Sequence, residues 1–302
     1  MSDVLLDDAP TPAPTKGRSL WDDARRRLMR NPATVVSLYV VALLVLLAAF
    51  GPVLWIHQYD TIFRDRVAIA PTLENLHLFG TDTEGRDMVA RTLLGLRISL
   101  LVGLAATAVA LTIGVVWGAI AGFIGGWLDD LMMRFVDVLY AIPFVFFVIV
   151  LMTVIDTPDP FVKLMWIFVA IGAVEWLTMS RIVRGQTIAL RKREFVEAAR
   201  AAGASPLQIV FRHIVPNVLG PVVIFATLNI PVIILAESFL SFIGLGVQEP
   251  LTSLGRLISD GARQMINAPW MLIVPALTML LTLLALNFLG DGLRDALDPK
   301  ER

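Results

Sequence analysis

Two carboxylates lie inside apolar runs of this sequence. Glu175 sits in WIFVAIGAVEWLTM, and Glu237 sits in PVIILAESFLSFI with Ser238 and Ser241 following it. A carboxylate in hydrocarbon is costly and usually faces a bundle interior or a watery path. Two kinds of chemistry are open to these acids. They could line a pathway or gate and meet a substrate amine there. They could also hydrogen-bond across a helix or subunit contact, protonated or paired. Neither belongs to a catalytic set. The chain has no cysteine, and its three histidines (His57, His77, His213) are scattered. A thiol nucleophile and a thiolate metal site are therefore excluded, and no metal centre is expected. No G-x-x-x-x-G-K-[ST], H-E-x-x-H or G-x-S-x-G is present, so the chain should not bind ATP, and no catalytic residue is assigned.

The other informative residues are polar and cluster in one segment, 191–216, RKREFVEAARAAGASPLQIVFRHIVP. Phe195, Ala198, Ala199 and Ala202 fall at i, i+3, i+4 and i+7, one face of a helix. Gly203 stands where a helix end favours positive φ. Ser205, Pro206 and Gln208 restart the chain as N-cap, first helical residue and capping-box partner. Leu207, Val210, Phe211 and Ile214 repeat the apolar spacing until Pro216 interrupts it. The polar face of the first helix carries Arg193, Glu197 and Arg200, spaced so that Glu197 can pair either way. The spacing predicts two short amphipathic helices meeting at a sharp turn. An ordinary hairpin lying on a membrane would show the same spacing.

The elements that hold these residues are apolar. Of 302 residues, 57% are hydrophobic and 17% charged, and mean hydropathy is +0.74. A soluble domain would be about 45–50% apolar and a quarter charged. The fold class expected is an all-α polytopic membrane protein. Six spans of about 20 apolar residues are legible: 33–56, 98–123, 138–155, 164–179, 219–243 and 271–289. The chain then divides into a tail and elbow (1–32), a first span (33–56), an outer loop (57–97), a five-helix core (98–290) carrying the hairpin at 191–216, and a C-terminal tail (291–302). The first 19 residues are polar and proline-rich, without the order of a signal peptide, and are expected to be disordered. Trp21 and Leu28 are expected to anchor an interfacial elbow helix. The small residues of the second span, among them Gly114, Gly118 and Gly122, suit close helix packing.

Lys and Arg near span ends set orientation. Seventeen lie on the side of the hairpin and both termini, and eight on the other. The hairpin and termini are therefore expected to be cytoplasmic. On the outer side, Gly80, Asp82, Thr83, Gly85 and Asp87 suit turns and caps. Residues 251–265 read as a re-entrant or interfacial helix.

Glu197-Ala198-Ala199, Gly203, Ile214 and Pro216 resemble the cytoplasmic EAA loop of bacterial ABC importer permeases; the Leu usual before the last Pro is Val215 here. Further stretches extend the likeness almost end to end. They are Phe79-Gly-Thr-Asp with Gly85-Arg-Asp87, Arg181-Ile-Val-Arg-Gly-Gln186, Glu237 to Gly246, and Gly290 to Pro299. The sequence is similar to the C-type permease of oligopeptide and dipeptide importers; the nickel branch is close. The resemblance implies a type I ABC importer permease in a bacterial inner membrane. It implies a second, different permease as heterodimer partner and two ATPase subunits, with ATP and Mg on those subunits. It also implies a periplasmic or lipoprotein binding protein and a peptide substrate, with no nucleic acid. In it the hairpin residues Glu197, Ala198, Ala199, Gly203, Ser205, Pro206, Arg193 and Arg200 would couple to the ATPases. The rival class, an ion-coupled secondary transporter, should show inverted repeats, and none is evident.

Overall fold

In a computed structural model, residues 26–155 and 157–297 are described. Trp21 of the expected elbow, the end of the C-terminal tail and the connector residue Asp156 lie outside them. The described residues are helical, with one isolated bridge between Thr81 and Asp87 and no strand. We label the helices α1 Pro32–Leu54, α2 Met88–Ile124, α3 Gly126–Tyr140, α4 Phe144–Val154, α5 Pro160–Leu190, α6 Glu194–Ala201, α7 Pro206–Ile209, α8 Val215–Phe242, α9 Leu254–Arg263 and α10 Trp270–Leu297. Five helical segments are long and apolar enough to cross a membrane, or six if the bent pair α3–α4 counts as one span.

α2 is the central element and lies along α5. Gly114, Gly118 and Gly122 make this possible. A Cβ on them would stand 2.6 Å from Met179 Cβ, 2.3 Å from the Ser180 oxygen and 2.7 Å from the Arg184 oxygen. The two backbones therefore meet directly. Around this pair, Val102, Ala106, Val148, Ile167, Ile171 and Ile233 fill one apolar cluster. A second, made of Ala119, Phe123, Val183 and Val218, receives the hairpin at the other end of the bundle.

Several helices run past the apolar windows that signal them. α2 starts at Met88, ten residues before the expected span, with Asp87 as N-cap accepting from Ala90 N. Arg91 and Arg97 hide this stretch from hydropathy, yet both have partners in place. Arg91 meets Asp82, and Arg97 Nε donates to the Ala48 oxygen at 2.7 Å. α5 likewise continues to Leu190, with Arg184 forked onto Asp129 of α3 at 2.6 and 2.7 Å.

The expected third span, 138–155, is not one helix. α3 and α4 meet at 81° around Ala141–Pro143. Proline has no N–H and its ring collides with the preceding turn. The helix before the bend escaped the hydropathy reading because it carries Asp129, Asp130, Arg134 and Asp137.

Pro216 also behaves differently from expectation. It does not end the second hairpin helix. α7 passes through a π-helical stretch, Val210–Ile214, into α8, and the helical segment is continuous from Pro206 to Phe242. The wider turn moves the carbonyls that a proline ring would strike.

Candidate functional site

The hairpin is built by local rules. α6 ends in a Schellman motif: Gly203 N donates to the Arg200 oxygen (2.9 Å) and Ala204 N to the Ala199 oxygen (3.1 Å). Gly203 adopts φ +82°, and a Cβ there would touch nothing within 4 Å. The demand for glycine is thus conformational, not steric. Ser205 then caps α7. Its hydroxyl accepts from Gln208 N, Gln208 Oε1 accepts from Ser205 N, and Pro206 takes the first helical position.

Tertiary packing chooses the buried face. Val196, Ile209, Val210 and Ile214 are buried against Phe123, Met179 and Val183 at one end of α2 and α5. The stripe expected to face inward does not. Ala198, Ala202 and Phe195 (37%) are exposed, and only Ala199 reaches the core. In the second helix Val210 and Ile214 go inward while Leu207 (58%) and Phe211 (50%) remain outside. The correction follows from geometry. Phe195 and Val196 are about 100° apart on a helix, so only one stripe can point at the bundle. Arg200 lies over the Phe123 ring, its guanidinium carbon 5.3 Å from the centroid. Arg193 is the N-cap residue of α6 without a side-chain cap bond. Among the described residues, Glu197 pairs with neither arginine; it is exposed.

The intramembrane acids are not brought together. Glu175 accepts from Asn229 Nδ2 at 2.9 Å, linking α5 to α8. Glu237 lies eight residues beyond Asn229, about 12 Å along the helix. It is 0% exposed. Ser241 donates to its Oε1 at 2.6 Å and Ser99 to its Oε2 at 3.3 Å. Ser238 turns instead to Met279 Sδ at 3.4 Å. Glu237 thus bonds within the chain and does not line a cavity here. Ser99 and Ser253, which complete its surroundings, carried no sequence signal, since Ser99 is 138 residues away.

The outer loop hides a charged knot. Asp82 accepts from Glu84 N (2.8 Å), Arg86 N (2.9 Å) and Arg86 Nε (2.8 Å), and it pairs with Arg91. Arg86 reaches on to Glu249 at 3.0 Å, which ties this loop to the segment before α9. Burial pushes the Asp82 carboxyl up, but Arg91 and the bonds from Arg86 outweigh it and hold it below its ordinary value. Beside the knot, Asp87 Oδ1 takes Trp55 Nε1 (2.9 Å) and Ala90 N (2.8 Å), and Oδ2 takes His77 Nδ1 (2.9 Å). Donor atoms of His57, His77 and Asp87 lie within 4.8 Å of one another. A metal fits this cluster poorly. The two imidazoles stack 4.6 Å apart at 21°, His57 Nε2 already meets the Asn75 oxygen at 2.6 Å, and both Asp87 oxygens are occupied. The two acids of the FGTD…GRD stretch thus cross-link the loop, Asp82 to Arg86 and Arg91 and Asp87 to Trp55 and His77.

A bundle of five or six helices long and apolar enough to cross a membrane agrees with the comparisons. Residues 19–71 match the N-terminal transmembrane domain of oligopeptide transport permease C. The chain is 52% identical over 287 residues to the oligopeptide transport system permease protein OppC of Escherichia coli K12, covering 95% of this chain and 93% of that protein. Against the protein of the same name from Haemophilus influenzae the figures are 51%, 95% and 91%. Against the dipeptide transport system permease protein DppC of Bacillus subtilis they are 40%, 94% and 87%. These relatives are transport subunits, not enzymes. Residues 114–302 match the binding-protein-dependent transport system inner membrane components, and with relatives this similar over nearly its whole length the chain belongs to that family.

Proposed function

We propose that this chain is one permease half of an ATP-driven oligopeptide importer and that its hairpin is the docking element for a separate ATPase subunit. The observation that carries the reading is the hairpin's division of labour. Val196, Ile209, Val210 and Ile214 fasten it to the bundle, while Phe195, Leu207 and Phe211 stay exposed. An apolar set left outside a fastened hairpin marks a partner surface. The similarity to proteins named as oligopeptide permeases supports the cargo class. The 17-to-8 excess of Lys and Arg on the side of the hairpin and both termini supports a cytoplasmic placement for them, and the likeness to bacterial permeases supports an inner-membrane location.

The geometry offers a route for coupling. The 37-residue segment from Pro206 to Phe242 is about 55 Å long at 1.5 Å per residue. It joins the docking surface to Glu237. When the partner ATPases close, a displacement at Ser205 is carried along this rod, and alternating access follows from two arrangements of the bundle. Glu197, Ala198, Ala199, Gly203, Ser205, Pro206, Arg193 and Arg200 form the coupling element. Glu175, Glu237, Ser238 and Ser241 sit at helix crossings that must shift when the pathway changes sides. The partners are a second, different permease, two ATPases holding ATP and Mg, and a periplasmic or lipid-anchored binding protein that delivers the peptide.

The test is charge reversal at an exposed position. Glu197→Lys should reduce recovery of the ATPases in a detergent pull-down while membrane abundance stays at the wild-type level. Truncating one member of a buried interface pair costs about 2–5 kcal/mol. Recovery equal to wild type would make Glu197 a solvated surface charge.

A further inference from the structure

Glu237 is the end point of a hydrogen-bond relay that begins at the N-terminus of α9. The first arm runs from Arg256 N to Ser253 Oγ (3.2 Å), from Ser253 Oγ to Ser241 Oγ (3.2 Å), and from Ser241 Oγ to Glu237 Oε1 (2.6 Å). The second runs from Leu254 N to Ser99 Oγ (3.2 Å) and on to Glu237 Oε2 (3.3 Å). Val247 N also donates to Ser241 Oγ, at 3.3 Å. Each serine accepts a backbone N–H or a hydroxyl and donates its own O–H onward, and the Glu237 carboxyl group offers one accepting oxygen to each arm. Helix α9 therefore presents its first N–H groups, the positive end of its dipole, toward Glu237 through two serine-mediated arms.

The backbone is shaped for this approach. A Cβ on Gly255 would lie 2.3 Å from Ser238 Cα, and one on Gly246 would lie 1.8 Å from Ser241 Oγ. Only glycine lets α9 and the segment leading to it sit so close to the turn that bears Glu237. Ile234, Leu240, Val247 and Leu254, from the same segments, are buried, as are Ser238 and Thr252. Apolar side chains alone could have held α9 there. A carboxylate with hydroxyl partners is a poorer permanent filler, because buried polar groups are stable only while every bond is made. It suits a contact that must be broken and remade.

We propose that Glu237, acting through Ser99, Ser241 and Ser253, is a latch that holds α9 across the outer ends of α2 and α8, and that opening to the outside releases it. Glu237 is then a positioning residue for the protein's own outer helix, not a ligand for substrate. The latch deepens the gate role proposed above and rests on alternating access. It does not depend on which residues dock the ATPase.

The experiment is hydrogen–deuterium exchange on the assembled transporter in lipid nanodiscs, without nucleotide and with a non-hydrolysable ATP analogue. Wild-type α9 amides (residues 254–263) should be protected without nucleotide and exchange at least tenfold faster with the analogue. In Glu237→Leu they should exchange fast in both conditions. Glu237→Gln keeps the shape but puts an N–H2 donor where one of the two accepting oxygens stood, so it should break one arm and give α9 exchange without nucleotide between those of wild type and Glu237→Leu. Ser241→Ala leaves the carboxylate and the Ser253 cap of α9 in place and breaks one arm, so it should also speed α9 exchange without nucleotide if Glu237→Leu fails to assemble. Amides of residues 105–120 in α2 serve as the control for an intact fold. Unchanged α9 protection in Glu237→Leu, or in Ser241→Ala where it stands in, would overturn the latch. So would wild-type protection indifferent to nucleotide while ATPase binding is intact. Failure of the hairpin reading alone looks different: Glu197→Lys would keep its nucleotide response, and the nucleotide-free contrast between wild type and Glu237→Leu would remain.

Discussion

Replacing Phe195, Leu207 and Phe211 together by Ser should weaken ATPase docking by about two orders of magnitude. These side chains are 37%, 58% and 50% exposed, so roughly half of each remains to be covered by a partner. Full burial of a Phe or Leu side chain stabilises by about 1.5–3 kcal/mol. Half of that is about 1 kcal/mol per residue, or about 3 kcal/mol for the three. At 1.4 kcal/mol per decade this corresponds to about a hundredfold in Kd. The entropic cost of bringing two bodies together is common to both variants and cancels. The fold should survive, because Val196, Ile209, Val210 and Ile214 still fasten the hairpin. The assay is titration of the ATPase subunits onto nanodisc-held permease, read by biolayer interferometry. A matched triple at exposed α8 positions (Val232, Leu235 and Phe239 to Ser) should leave Kd unchanged. A Kd within threefold of wild type for the hairpin triple would refute the reasoning, since the exposed stripe would then be facing lipid headgroups or water.

Three further outcomes are expected. Gly203→Val should insert in the membrane but lose ATPase association or peptide uptake, because a β-branched residue at φ +82° is strained; normal uptake would contradict the turn. With no native cysteine, single cysteines at Thr83 and Ser205 can be probed with an impermeant thiol reagent on intact cells, and only the one at Thr83 should be labelled. Labelling at 205 would place the hairpin away from any cytosolic ATPase. The outer-loop knot should loosen only in acid. Asp82 titrates below its ordinary value, so its stabilisation is present above the usual carboxylate range of about pH 4 and fades as pH falls through the lowered value. Proteolysis of the loop across a pH series reads this, and Asp82→Asn should already be cleaved faster at neutral pH.

What the sequence made legible was local. The stop at Gly203 and the restart at Ser205-Pro206-Gln208 were readable because each depends on a few consecutive residues. The glycine spacing of α2 foretold close packing for the same reason. What escaped was decided at a distance. Ser99 meets Glu237 across 138 positions, and Arg86 meets Glu249 across 163. Nothing near either residue announces its partner. Charged helix ends escaped for a related reason: hydropathy counts Arg91 and Arg97 as water-seeking, whereas Asp82 and a backbone oxygen satisfy them in place.

The hairpin shows most clearly why periodicity stops short of function. α6 has eight residues, hence little more than two turns, and two apolar stripes compete for its inner face. One contains Phe195, Ala198 and Ala202; the other rests on Val196 and Ala199. Burial of apolar area alone would favour the stripe with the larger aromatic. The opposite choice was made, because the direction of α6 is fixed by the short link from α5 at 191–193 and by the rod that leaves at Pro206. Within that frame Val196 faces Phe123 and Val183, and Phe195 cannot. A short element that violates the simplest rule of burial while its turn and caps obey every local rule is one whose outer face is kept for something else. The triple Ser variant tests it directly, because it removes only the stripe that burial left out.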